Sequence, residues 1–211
     1  MSEEERKAKA KGKKQMDLDY DFFSIEPGEK HPKQGRILIS EPFLRDIYFK
    51  RSIVFLTEHN KEGTIGFALN KPVKASLNEV LEDFPDTDVK ISLGGPVGTN
   101  TVHYLHTMGD IIPNSVQVYK NIFWGGDFNA IKTLVTLGKL DKSQIRFFIG
   151  YSGWKPGQLE DEISENSWVI AELEPDYIMR DPDENVWKEI LQKLGKKYRM
   201  WADFPENPGM N

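Results

Sequence analysis

From Arg36 onward the chain is written as short apolar runs, each closed by Gly, Pro, Asn or Asp. That punctuation restricts the fold more than any other feature, because it belongs to strands joined by tight connections. Candidate strands are Arg36–Ser40, Ser52–His59, Thr64–Asn70, Val89–Leu93, Thr101–His106, Val116–Trp124, Gln144–Tyr151 and Trp168–Leu173. The gap between Ser52–His59 and Thr64–Asn70 is too short for a crossover helix, so antiparallel pairing is predicted there. Ile53-Val54-Phe55-Leu56 and Phe147-Phe148-Ile149 are continuously apolar, which implies burial on both faces of the sheet.

Three or four helices are available as cover. Ser76-Leu77-Asn78-Glu79 is a capping box leading into Val80, Leu81 and Phe84, with Pro85 as the stop. Asp127 caps a stripe of Phe128, Ile131, Leu134 and Val135 that leaves through Gly138. Asp181-Pro182-Asp183-Glu184 opens a third helix carrying Val186, Trp187, Ile190, Leu191 and Leu194 and ended by Gly195. A short fourth piece, Pro156–Ile163, has only Leu159 and Ile163 to bury. The predicted class is α+β: one domain with a mainly antiparallel, bent or barrel-like sheet flanked by these helices. Trp168 and Trp187 are expected inside it.

The chain divides into a basic stretch at 1–15, an irregular lead-in at 16–35, a domain at 36–200 and a tail at 201–211. Residues 1–15 lack aromatic and β-branched side chains and are read as disordered. With six bases against three acids, residues 1–14 carry +3 of a net charge of −5, so the other 197 of the 211 residues sum to −8. An acidic body repels a phosphate backbone, which leaves the basic tail as the one place for nucleic acid to bind. No apolar run approaches the length of a membrane span, and no apolar leader precedes Phe22, so a cytoplasmic location without membrane contact is expected.

The sequence contains no cysteine and four histidines. Thiolate zinc, iron–sulfur clusters and a cysteine nucleophile are thereby excluded, and no cofactor or metal is predicted. Two glycine-rich segments stand out instead. Gly94-Gly95-Pro96-Val97-Gly98 follows a strand and lets a backbone or ligand come close, but it lacks the lysine and hydroxyl of a phosphate loop and the dinucleotide spacing. Gly150-Tyr151-Ser152-Gly153-Trp154 continues through Gly157-Gln158-Leu159-Glu160 and marks a strand-to-helix corner, where backbone N–H groups can meet an anion or carbonyl. Ser152 invites a nucleophile-elbow reading, yet that turn needs glycine two residues after the serine, where this chain has Trp154. His103 and His106 fall on opposite faces of a strand, so they make a poor metal pair. In Gly125-Gly126-Asp127 the aspartate occupies the place an anion would take.

Taken in order, six motifs resemble the YqgE/AlgH family of bacterial proteins. They are Gly35-Arg36-Ile37-Leu38-Ile39-Ser40 with Pro42; Arg51-Ser52-Ile53-Val54 leading to Glu58-His59; Gly66-Phe67-Ala68-Leu69-Asn70-Lys71-Pro72; Gly94-Gly95-Pro96-Val97; Leu105-His106; and Gly150-Tyr151-Ser152-Gly153-Trp154 with Gly157-Gln158-Leu159-Glu160. The resemblance spans about Gly35 to Gly195 and implies a single α+β domain with a strongly bent sheet. It brings no reaction and no catalytic residue; related proteins carry the label of transcriptional regulators through a role in alginate production. The family accepts alanine in place of Ser152, which counts against a nucleophile. Asn70-Lys71-Pro72, where arginine commonly precedes the proline, and the basic N-terminal extension depart from the usual pattern.

The leading expectation is a non-enzymatic regulatory or binding protein whose partner, protein or small molecule, is not specified by the residues. The candidate ligand-binding set is Gly94, Gly95, Pro96, Val97, His106, Gly150, Tyr151, Ser152, Gly153, Trp154, Gln158 and Glu160. The alternatives are a small-molecule-binding protein or enzyme using the Gly94–Val97 and Gly150–Glu160 segments, and DNA binding through the basic N-terminal tail.

Overall fold

The computed structural model describes residues 31–205, so the stretch read as a disordered tail lies outside the described residues. Nine strands form one sheet: β1 (Ile37–Ser40), β2 (Ile53–Asn60), β3 (Gly63–Ala68), β4 (Ile91–Leu93), β5 (Val97–His106), β6 (Val116–Tyr119), β7 (Ile122–Trp124), β8 (Ile145–Trp154) and β9 (Trp168–Ala171). Their order is β6-β7-β5-β8-β3-β2-β1-β9, with β4 also paired to β8. Among the described residues only the β4–β8 ladder is parallel. The stretch Val116–Trp124, expected as one strand, is a hairpin, because Lys120 adopts φ 46° and turns the chain back so that Tyr119 pairs with Ile122.

Strand β8 organises the sheet. Its first half pairs with β4 and β5, through Phe147↔Ile91 and Phe147↔Tyr104, while its second half pairs with β3 through Ser152↔Gly66. Gly150, at φ 62°, sits at the junction. Ahead of it Ile145, Phe147 and Ile149 face one layer; the irregularity shifts the alternation by one residue, so Tyr151 joins Phe148 on the opposite face.

Six α-helices lie among the described residues: α1 (Leu77–Val80), α2 (Phe128–Thr136), α3 (Gln158–Ser164), α4 (Pro175–Ile178), α5 (Val186–Lys193) and α6 (Lys196–Ala202). The boxes read from sequence are present: Glu79 accepts from Ser76 N at 2.7 Å, and Asp127 accepts from Asn129 N at 2.8 Å. Helix α5 begins later than expected. Asp183 accepts from Asn185 N at 2.9 Å, holding residues 183–185 in a turn, so Pro182 stands outside the helix. Residues 201–204, expected in the tail, pack on the domain, with Ala202 buried and the Phe204 ring 5.2 Å from that of Phe43.

Three apolar cores result. Helices α4 to α6 cover one face of the bent sheet, burying Ile37, Phe55, Phe67 and Phe148 against Trp187, Ile190 and Leu191. Helices α1 and α2 cover the other face over Phe147 and Ile91, while α3 covers it over Val54, Trp154 and Trp168. Each fully buried aromatic or branched side chain contributes about 1.5–3 kcal/mol. Trp187 also donates from Nε1 to Ser40 O at 3.0 Å, fixing α5 to the end of β1.

The sheet bends until its two edges meet without forming a ladder. Gln34 Nε2 donates to Gln117 O at 3.1 Å, Tyr119 donates its hydroxyl to Glu172, Arg36 bonds the same carboxylate at 2.5 Å, and Lys120 reaches Glu174 at 2.7 Å. The barrel is therefore open in its backbone and clasped by side chains.

Candidate functional site

The two glycine-rich segments come together, and the contact is backbone against backbone. Gly94 N donates to Ile149 O at 2.8 Å, and Ala68 N donates to Gly94 O at 2.9 Å. A Cβ on Gly94 would stand 2.3 Å from Gly150 O, one on Gly95 2.3 Å from the Tyr151 carbonyl carbon, and one on Gly150 2.6 Å from Val97 O. The glycines are thus required by the strand crossing itself. Ser152 is buried and donates its hydroxyl to Gly94 O at 2.8 Å. It faces the neighbouring segment and braces the crossing, whereas an elbow serine presents its hydroxyl to substrate. Pro96, on the connection, and Val97, the first residue of β5, are exposed.

Trp154, Gln158 and Glu160 belong to the α3 side of the sheet. The Glu162 carboxylate accepts from Trp154 Nε1 at 2.9 Å, from Trp168 Nε1 at 2.7 Å and from Gln158 Nε2 at 2.9 Å. Glu160 is exposed, 3.6 Å from His59 Nε2. Gly157, at φ 80°, starts α3. This corner is an indole-carboxylate lock of packing residues.

His106 is fully buried on the face opposite His103. Its Nδ1 accepts from Met108 N at 3.1 Å, so Nε2 carries the proton and donates to Gly125 O at 2.9 Å. Burial holds its pKa below the ordinary histidine value, outweighing the raising effect of the Gly125 carbonyl. The neutral ring ties β5 to the end of β7.

Tyr151 is the member of the expected set whose side chain enters a different setting. Its ring is wedged between two glycines: a Cβ on Gly98 would lie 3.3 Å from Cε1, and one on Gly153 3.1 Å from Cε2. The ring meets His103 edge-on at 5.7 Å, and His103 lies 5.4 Å from Phe67 and 6.4 Å from Trp124. Thr101 donates its hydroxyl to Gly98 O at 2.6 Å and stands 3.0 Å from His103 Nε2, which makes that nitrogen the donor and leaves Nδ1 as an acceptor. Burial lowers the His103 pKa, so the ring is neutral near pH 7. The four residues come from β3, β5, β7 and β8, and only the sheet order brings them together.

Arg146 was also missed. It is fully buried, donating from Nη1 to Ile178 O at 2.6 Å and from Nη2 to Leu69 O at 2.6 Å and Ser92 Oγ at 3.0 Å. Its guanidinium lies 5.2 Å from the Phe148 ring centroid. Burial pushes its pKa down to about 9, against the opposing charge of Asp181. It pins α4 to β8 and to the chain after β3.

The fold and the glycine crossing define an α+β protein built on an open, clasped sheet. A model of the AlgH-like family matches residues 37–199, and the chain belongs to that family. It is 44% identical over 192 residues to a UPF0301 protein of Bacteroides fragilis, covering 90% of this chain and 97% of that protein. A UPF0301 protein of Chlorobaculum tepidum is 41% identical over 179 residues, covering 85% and 96%. Among solved structures, the AlgH protein from Pseudomonas aeruginosa matches at TM-score 0.64 and 26% identity, over 86% of this chain and 97% of that one. Protein DIP2367 from Corynebacterium diphtheriae shares the fold at TM-score 0.70 and 21% identity, over 86% and 96%. No helix among the described residues is long and apolar enough to cross a membrane.

Proposed function

We propose that the protein is a non-enzymatic regulatory or binding protein of the cytoplasm. The observation that carries this reading is the fate of the reactive groups at the glycine crossing. Ser152 spends its hydroxyl on Gly94 O, and His106, on the other side of β5, spends both ring nitrogens on Met108 N and Gly125 O. Acyl transfer needs an accessible hydroxyl in contact with a free basic nitrogen; Ser152 is buried away from any histidine, and the hydroxyl that does meet His106, Ser115 Oγ at 3.0 Å, faces the protonated Nε2 and donates to Ile112 O at 2.7 Å. Binding by contrast asks for a rigid scaffold that presents side chains, and Tyr151, wedged between Gly98 and Gly153, is presented in that manner.

The test is treatment of the purified full chain with a fluorophosphonate, followed by mass spectrometry of the peptide containing Ser152. The expected result is an unmodified peptide. Stoichiometric modification at Ser152 of the folded protein overturns the reading.

A further inference from the structure

Most polar tips of the aromatic side chains in this fold are used internally. Trp154 and Trp168 give their N–H groups to Glu162, Trp187 gives its own to Ser40 O, Tyr104 donates to Gly126 O at 2.6 Å, and Tyr119 donates to Glu172. The cluster around Tyr151 behaves differently. His103 bonds through Nε2 alone; its Nδ1, the Tyr151 hydroxyl and the Trp124 Nε1–H have no hydrogen-bond partner among the described residues. All three side chains are half-buried, and Phe67 closes the base of the group, 5.9 Å from Trp124. Two donors and one acceptor are therefore left unused on one group of neighbouring aromatic side chains, in which two glycines fix the orientation of the Tyr151 ring.

We propose that His103, Trp124 and Tyr151 form a binding site for a small, uncharged, planar heteroaromatic ring with both donor and acceptor edges, the chemistry of a nucleoside base. The inference rests on the reading of this chain as a binding protein. The aromatic faces supply stacking, worth about 1–3 kcal/mol per base in proteins that use it. The edge is read by complementarity: His103 Nδ1 accepts a ring N–H or amino group, while Tyr151 and Trp124 donate to a ring nitrogen or carbonyl. Buried polar atoms on a ligand are costly unless matched, which is why a ring carrying both kinds of group fits better than a hydrocarbon. The same residues decide against a phosphorylated ligand. The cluster contains no cation, its histidine is neutral, and the chain has a net charge of −5.

The experiment follows the indole Nε1–H resonance of Trp124 in the full-length protein while adenosine, guanosine, cytidine and uridine are added separately. Their 5′-monophosphates are run in parallel, with leucine and N-acetylglucosamine as non-aromatic controls. The expected result is a saturable shift with at least one nucleoside, a weaker one with its monophosphate, and none with the controls. Tyr151→Phe and His103→Gln, each checked for an unchanged unfolding midpoint, lower the affinity about tenfold, the loss of one ordinary hydrogen bond. Trp124→Phe, which removes that resonance, is read by the backbone amide of Tyr151. The assignment is overturned if no nucleoside shifts the resonance, if the variants bind as well as the parent, or if the monophosphates bind more tightly. Its failure is separable from that of the broader reading: absent nucleoside binding with an unmodified Ser152 removes the ligand class alone, whereas modification of Ser152 removes the binding-protein reading.

Discussion

A side-chain carbon on Gly94 would stand 2.3 Å from the carbonyl oxygen of Gly150. Neither partner can yield, since Gly94 is bonded to Ile149 O and Gly150 lies between the two halves of β8. Gly94→Ala is therefore expected to destabilise the protein by about 4 kcal/mol, in the range reserved for steric disruption of a packed interior. Gly138→Ala is the comparison, because Gly138 has φ 61° and open space around it. Its cost is about 1–2 kcal/mol of backbone strain alone. Urea unfolding separates the two, and equal effects would refute the crossing argument.

Acidification should loosen the fold through its histidines. His103 and His106 both have pKa values held below the ordinary 6.5 by burial. In the unfolded chain they take up protons as the pH falls through about 6.5, while the folded rings stay neutral. Unfolded protein then binds more protons than folded, so stability is fully present above that pH and declines below it, down to the folded values. Urea titrations at a series of pH values should show this decline, and His106→Gln should make it shallower. A flat profile across that window contradicts the assignment of buried neutral rings.

The Glu162 carboxylate holds two indoles and an amide at once. Glu162→Gln retains one carbonyl oxygen but turns an amide nitrogen toward one of those donors, so a cost of about 1–2 kcal/mol is expected. Tryptophan emission in the folded state should change as well. An unaltered midpoint and spectrum would mean that the lock contributes nothing.

Closure of the bent sheet by side chains is testable with a double-mutant cycle. Tyr119→Phe and Glu172→Ala each remove the contact between β6 and the chain after β9. Because the bond is charge-assisted and half-buried, the coupling between the two should be about 1–2 kcal/mol. Additive effects would show that the edges are held by packing alone.

Much of this architecture was legible in the residues. Continuous apolar runs such as Ile53–Leu56 and Phe147–Ile149 announced strands covered on both faces, and the six motifs announced the family. The glycine pair at Gly94-Gly95 pointed to a close approach, and it is one. Tertiary facts were illegible. Lys120 at φ 46° splits Val116–Trp124 into a hairpin, and lysine is no common signal for a left-handed residue. Helices α4 and α6 are too short to write an apolar period, so their burial is settled by the sheet beneath them. Arg146 reads as an exposed charge in a strand, and only the carbonyls of Leu69 and Ile178 arriving from distant segments allow its burial. The His103, Trp124 and Tyr151 cluster draws on three strands, which spacing along one chain cannot reveal.

The central claim is that Ser152 is a strut and not a nucleophile. Its most direct measurement is incubation of the wild-type protein and Ser152→Ala, in parallel, with a cellular metabolite extract followed by mass spectrometry. The account predicts that neither protein changes the abundance of any compound, and that the variant loses about 1–2 kcal/mol of stability with its donor to Gly94 O. A compound consumed by the wild type and spared by a folded Ser152→Ala would contradict it.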